Sequence, residues 1–128
     1  MAQIKIRVYY EDTDCGNVVY YANYLRYMER GRTELLRERG VNLSDYHNQG
    51  CLFVVADLQC KYHSSARYND LLTVTTAIAQ CTGASLTFTT EIINEQHRLL
   101  VSSTTRLACV STNGTIQRVP KELIDKLL

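Results

Sequence analysis

Asp12 and Asp14 stand one residue apart near the start of the stretch Tyr10–Arg32, with Gly16-Asn17 just behind them. In an extended segment, residues two apart face the same side, so both carboxylates would look into one cleft. Two like charges held close together raise one proton affinity, which suits acid/base work. Asp14 also lies a few residues ahead of a helical pattern, and the first N–H groups of a helix have no intrahelical partner. Such groups can hold a developing oxyanion. A carboxylate nucleophile or base beside oxyanion donors is the minimum set for acyl transfer. The plainer alternative is that both aspartates are solvated turn residues, or that one caps the helix.

Cys15 is the rival nucleophile, but it has no base nearby in sequence, and alternation turns it away from Asp14. Gly16-Asn17 is a tight turn under either reading. Tyr20, Tyr21, Tyr24 and Tyr27 either line an apolar ligand channel or belong to the core. Glu29 and Arg32, three apart on a helix, form a surface pair at that spacing.

Those groups need elements to position them. Gln3 to Tyr10 alternates, with Ile4, Ile6, Val8 and Tyr10 on one face, and predicts a half-buried strand. Glu11 to Asn17 predicts a loop. Val19 to Arg39 contains no proline and ends before Gly40, predicting one long helix with Tyr24, Met28, Gly31 and Leu35 on one side. Gly31 costs roughly 1 kcal/mol against alanine in a helix, a cost worth bearing where the helix passes close to another backbone. Val41 to Gly50 reads as a polar connector with a short helical turn after Ser44. Strands are predicted over Cys51 to Tyr62, Leu71 to Ala79, Leu86 to Ile92 and Leu99 to Cys109. Asn113-Gly114 predicts a hairpin with a Thr115–Arg118 return, and Pro120 a terminal helix with proline at its first position. Short connections make the late strands antiparallel, so the fold class is α+β, in two layers.

The totals set limits. With 128 residues, 45% hydrophobic, and no repeat or linker, the chain is expected to be one domain over 1–128. A net charge of +1 gives no reason to expect nucleic acid as a partner. The N-terminus lacks a signal-peptide core and no run approaches a membrane span, so a cytoplasmic protein without membrane insertion is expected. Five cysteines in no C-x-x-C pair and three scattered histidines suggest reduced thiols and no metal site.

Tyr9, Asp12, Thr13, Asp14, Val18, Val19, Tyr20, Tyr24, Glu29 and Arg32 together resemble the signature of the YbgC-type and 4-hydroxybenzoyl-CoA thioesterases. A second stretch, with Ala66, Asp70, Leu72 and Val74, agrees. The resemblance covers almost the whole chain. It implies the hotdog fold, one long central helix wrapped by a curved antiparallel sheet of five to six strands. It implies hydrolysis of acyl-CoA thioesters, short- to medium-chain or aromatic, with no cofactor and no metal. It makes Asp14 the catalytic carboxylate and the Tyr21 backbone N–H the group that polarises the carbonyl. Asp12, Gly16, Asn17, Tyr24 and Glu29 then support the site. Homodimers with a continuous sheet, doubled to homotetramers, are also implied. Many YbgC-type members carry histidine where this chain has Tyr21, and the hydroxybenzoyl enzymes carry tyrosine. A backbone N–H role survives that difference; a side-chain acid/base role does not. Ser65 replaces the family's usual proline. Lys61, Arg67, Arg98 and Arg118 are candidates for the CoA phosphates, each equally well a solvated charge. Two other readings are a thioesterase acting on acyl groups carried by acyl carrier protein, and a non-catalytic acyl-CoA-binding scaffold.

Overall fold

The computed structural model describes residues 1–128. In chain order the elements are β1 (Ala2–Arg7), a 3-10 turn (Tyr10–Asp12), α1 (Asn23–Glu38), α2 (Leu43–Asn48), β2 (Leu52–Tyr62), β3 (Leu71–Thr82), β4 (Ser85–Ile93), β5 (Leu99–Val110) and α3 (Lys121–Leu127). One five-stranded sheet runs in the order β1-β3-β4-β5-β2, with every neighbour antiparallel. The α+β hotdog arrangement is as expected, with α1 lying on the sheet's inner face.

The expected faces of β3 to β5 hold: Leu72, Val74 and Thr76, then Leu86, Phe88, Thr90 and Ile92, then Val101 to Cys109 at every second residue, are all buried. Register shifts interrupt the ladders at three places, between Val55 and Asp57, between Ile78 and Gln80, and between Ile92 and Ile93. A bulge bends its strand and increases the local twist, which lets the sheet curl round the helix.

α1 buries Tyr24, Tyr27, Met28, Gly31, Arg32, Leu35 and Leu36. Its first turns pack in one apolar cluster with Val8, Val19, Ile92 and Val101. Its last turns pack in a second, with Leu86, Phe88, Leu107 and, from α3, Leu123 and Leu127. Between the clusters a polar row crosses the sheet, Thr76 beside Thr90, Thr90 beside Ser103, and Ser103 beside Cys60. The Ser103 hydroxyl donates to Met28 Sδ at 2.8 Å. Gly31 meets this row from the helix side. A Cβ there would collide with Thr76 Oγ1 and stand 3.1 Å from Val74 Cγ1. The close approach is therefore to side chains of β3, not to backbone as the sequence reading had it.

Several boundaries differ from expectation. α1 begins at Asn23, not Val19, because Val19 donates its N–H to Ala66 O at 2.9 Å and bridges to Thr13. Tertiary pairing holds the β-branched Val18-Val19 step extended against its helical periodicity. β1 stops at Arg7, so Tyr10 leaves the strand face and is exposed. β3 runs on to Thr82. The Thr115–Arg118 return makes only a single bridge, Val110 to Ile116, so no sixth strand forms. Val119 is instead buried, donating its N–H to Gly83 O at 2.7 Å, and pulls the chain off the ladder. Pro120 is the N-cap of α3, one place before the expected position. α1 ends as read: Gly40 has φ +74° and donates to Arg37 O, while Val41 donates to Leu36 O. This is a Schellman motif, in which a left-handed residue satisfies the last carbonyls.

β2 differs from the other strands. It is an edge, and Val54, Val55, Leu58 and Tyr62 are 46, 55, 37 and 47% exposed. Of the residues paired with the buried face of β5, Phe53 and Cys60 are half-buried against the core, while Val55, Leu58 and Tyr62 stay largely exposed although they turn to the helix side of the sheet.

Gly31→Ala should lower stability by about 1–3 kcal/mol despite alanine's better helix propensity, because the Thr76–Val74 surface is fully packed. Urea unfolding measures this, and Gly31→Ala combined with Thr76→Ala should recover part of the loss.

Candidate active site

The loop between β1 and α1 is built by hydrogen-bond accounting. The Asp12 carboxylate accepts the Tyr9 N–H at 2.9 Å and caps the 3-10 turn. The Asp12 carbonyl accepts two bonds, from the Tyr20 N–H at 2.9 Å and from Asn23 Nδ2 at 2.8 Å. The Asp14 N–H donates to Val18 O at 2.9 Å, and the Asp14 carbonyl accepts from Asn17 N–H at 3.0 Å. Asn17 takes φ +64°, a left-handed conformation that asparagine tolerates better than most residues. Gly16 donates its N–H to Asp14 Oδ1 at 2.8 Å, and a Cβ on Gly16 would lie 3.1 Å from that oxygen. One Asp14 oxygen is thus fixed by its own turn, and the other carries no intrachain hydrogen bond on an exposed residue.

The two aspartates therefore do not share one cleft. The 3-10 turn breaks the extended geometry on which that expectation rested, and Asp12 is a structural cap whose carbonyl ties the loop to the helix.

Beyond Tyr20 the chain enters the first helical turn without a side-chain cap. Asn23 donates its N–H to Tyr20 O, Tyr24 to Tyr21 O and Leu25 to Ala22 O. The N–H groups of Tyr21 and Ala22 have no intrachain acceptor. They are orphan donors at the positive end of a helix dipole, a short loop away from Asp14.

The four helix-side tyrosines divide in two. Tyr24 and Tyr27 are core residues, 3 and 1% exposed. The Tyr24 hydroxyl accepts the buried Ala66 N–H at 3.0 Å, so Ala66 binds the loop through its carbonyl and the helix through its N–H. Burial, first of all, raises the Tyr24 pKa. Burial and then the Asp12 carboxylate raise that of Tyr27, whose hydroxyl is sealed without a hydrogen-bond partner. Tyr20 and Tyr21 are exposed, with ring centroids 5.0 Å apart. Tyr62, from β2, joins them: its ring meets Tyr21 edge-on at 6.1 Å and Tyr24 at 5.8 Å. Its hydroxyl lies 3.5 Å from Tyr21 O, and burial raises its pKa to about 12.

Tyr62 and Asn23 carried no readable signal. Tyr62 acts across strand order β5-β2, and Asn23 bonds back eleven residues. Glu29 is exposed and Arg32 buried, and the expected ion pair between them is not formed. Arg67 adjoins Ala66 at the site, Lys61 neighbours Tyr62 on β2, and Arg98 precedes β5. Arg118 lies at the other end of the sheet, beside Cys109. Cys15 is exposed, while Cys51 and Cys109 are buried with sulfurs 3.1 Å apart. No three His, Cys, Asp or Glu side chains gather as a metal-ligand set, and no helix is long and apolar enough to cross a membrane.

Two outcomes follow from these placements. Cys15→Ser should leave catalytic turnover within about twofold, because no base or donor addresses the thiol. Stability should fall above about pH 10. There the unfolded chain releases tyrosine protons that Tyr24 and Tyr27 retain when folded, so rising pH favours unfolding. Denaturant midpoints measured from pH 8 to 11 check the sign.

Comparison with known proteins places this architecture. A profile of the thioesterase superfamily matches residues 16–101. The acyl-CoA thioester hydrolase YbgC of Escherichia coli strain CFT073 is 40% identical over 120 residues, covering 93% of this chain and 90% of its own. A hypothetical protein of Aquifex aeolicus superposes with a TM-score of 0.92 at 27% identity, over the full length of both chains. A DHNA-CoA thioesterase of Staphylococcus aureus gives 0.91 at 26%, over 97% of this chain and 84% of that one. A superfamily match over most of the chain and a relative at this identity together make the chain a member of the thioesterase superfamily, in the branch that contains YbgC.

Proposed function

We propose that this chain hydrolyses acyl-CoA thioesters at the junction of the Asp14 loop and the start of α1. The observations that support the reading are a Tyr21 N–H left without an acceptor at the start of α1 and, in the loop before it, an Asp14 carboxylate with only one oxygen held. The thioester carbonyl oxygen takes its hydrogen bond from the Tyr21 N–H, which is preorganised because the helix supplies no competing acceptor. The free oxygen of Asp14 then attacks the carbonyl carbon, or removes a proton from the water that attacks it. Negative charge moves onto the carbonyl oxygen, toward the N–H. Collapse expels CoA thiolate, which is protonated, and the acyl group leaves as a carboxylic acid after addition of one water. Asp12, Gly16 and Asn17 position this pair; Tyr24 and Ala66 fix the helix turn behind it.

Tyr20, Tyr21 and Tyr62 offer an exposed aromatic wall at the acyl end, suited to short and medium aliphatic chains or flat aromatic ones. Arg67, beside Ala66, is the candidate for a CoA phosphate within one chain; Lys61 faces the outer side of the sheet and Arg118 lies at its other end, so each would reach only a site that another subunit brings to it. The bare β2 edge supports a homodimer in which two copies pair β2 with β2 and continue the sheet. Doubling into a homotetramer would cover the threonine-rich outer face, where Thr75, Thr89, Ser102 and Thr104 line an open groove.

Asp14→Asn keeps the shape and removes the charge. Release of free thiol from short acyl-CoAs should fall by about a thousandfold or more, with KM little changed. Turnover near the wild-type rate would rule out the assignment. Asp12→Asn should cost less, because its carboxylate caps a turn beside Tyr27 and does not attack the carbonyl.

A further inference from the structure

Arg32 is 8% exposed and forms neither a salt bridge nor a hydrogen bond within the chain. None of its unpaired nitrogens is sealed from the surface, so the stem is buried and the guanidinium reaches an opening. Burial lowers its pKa, and the only charge opposing that is Glu29, one turn earlier. A buried cation without an anion is costly, so this one implies a partner.

The faces of α1 say where that opening lies. Arg30 and Glu34 line a groove with Ile4 and Ile6 of β1. Gly31 rests on Val74 and Thr76 of β3, and Met28 meets Ser103 of β5. Continuing round the helix in that direction brings Leu25, Arg32, Leu36 and Glu29 to the side of β2. Arg32 is one turn beyond Met28, which sets it level with Thr105, two residues beyond Ser103. Thr105 is paired with Leu58, next to the midpoint of β2. The Thr105 hydroxyl is itself buried without a partner.

We propose that Arg32 pairs with Glu29 of a second copy of this chain, and Glu29 with that copy's Arg32, across a two-fold axis at the middle of β2. The inference rests on the β2 dimer suggested above and adds what fixes its register. Isologous pairing requires residue i to meet j while j meets i. An antiparallel β2–β2 contact lays the two α1 helices side by side and antiparallel. The turn from 29 to 32, level with the strand midpoint, then faces its own copy with opposite charges opposed. This explains why the intrachain pair is left open, and it would stop β2 from sliding along its partner, a hazard of hydrophobic edge strands.

Charge exchange between subunits tests it. Glu29→Arg makes both positions positive and Arg32→Glu makes both negative, so each variant alone should dimerise at least about a hundredfold more weakly than wild type. Mixed in equal amounts, the two should form a dimer with one chain of each, seen by native mass spectrometry and sized by analytical ultracentrifugation. An intrachain or purely structural role would not be repaired by mixing. If either reversal fails to fold by circular dichroism, Arg32→Met, which removes charge without repulsion, should still weaken the dimer by tenfold or more. A wild-type dimer that either variant matches in strength, or a mixture that yields no mixed dimer, overturns the ion pair. Wild-type protein that stays monomeric overturns the β2 dimer itself, and the ion pair with it.

Discussion

The two hydrogen bonds accepted by the Asp12 carbonyl are the constraint on which the site depends. One comes from the Tyr20 N–H and one from the Asn23 side chain, so a single oxygen joins the loop to both sides of the helix start. The donors just before the helix are thereby consumed, by Ala66 O for Val19 and by Asp12 O for Tyr20. Those from Asn23 onward are consumed by the helix. Tyr21 and Ala22 are left over. These two free N–H groups follow from how the loop bonds the residues just before them and the helix those just after. The same loop aims Asp14, whose turn through Gly16 and Asn17 is closed by its own side chain and carbonyl.

That geometry is only as firm as the helix behind it, and α1 is held by fit more than by propensity. Gly31 lets it sit on β3, Met28 takes a hydroxyl from β5, and two apolar clusters grip its ends. The helix leans over β1 and β3 and leaves β2 bare. The open edge strand and the buried, unpaired Arg32 would lie on the side where the proposed second copy sits, and Tyr21 and Tyr62 meet beside the same strand. Substrate entry and subunit contact would share one region.

Much of this was legible in the sequence. Alternation located β3, β4 and β5 and their inner faces, because a half-buried strand writes its period directly. Gly40 marked the end of α1 for a local reason, its left-handed φ. Asp14 and Tyr21 were singled out by a resemblance, not by any spacing. What could not be read depends on contacts distant in sequence. Val18-Val19 looks helical until Ala66 claims its N–H; Asp12 looks like a twin of Asp14 until the 3-10 turn rotates it away. The Asn113-Gly114 turn is real, yet the burial of Val119 decides that no strand follows. Tyr62 and Asn23 enter the site through partners that no spacing announces.

The most direct test of the account is a crystal structure with an acyl-CoA analogue in which a methylene replaces the thioester sulfur. The account predicts the ketone oxygen at hydrogen-bond distance from the Tyr21 N–H, with a free Asp14 oxygen or an Asp14-bound water roughly 3 Å from the carbonyl carbon. A ketone held away from the helix start, with Asp14 turned to solvent, would contradict it.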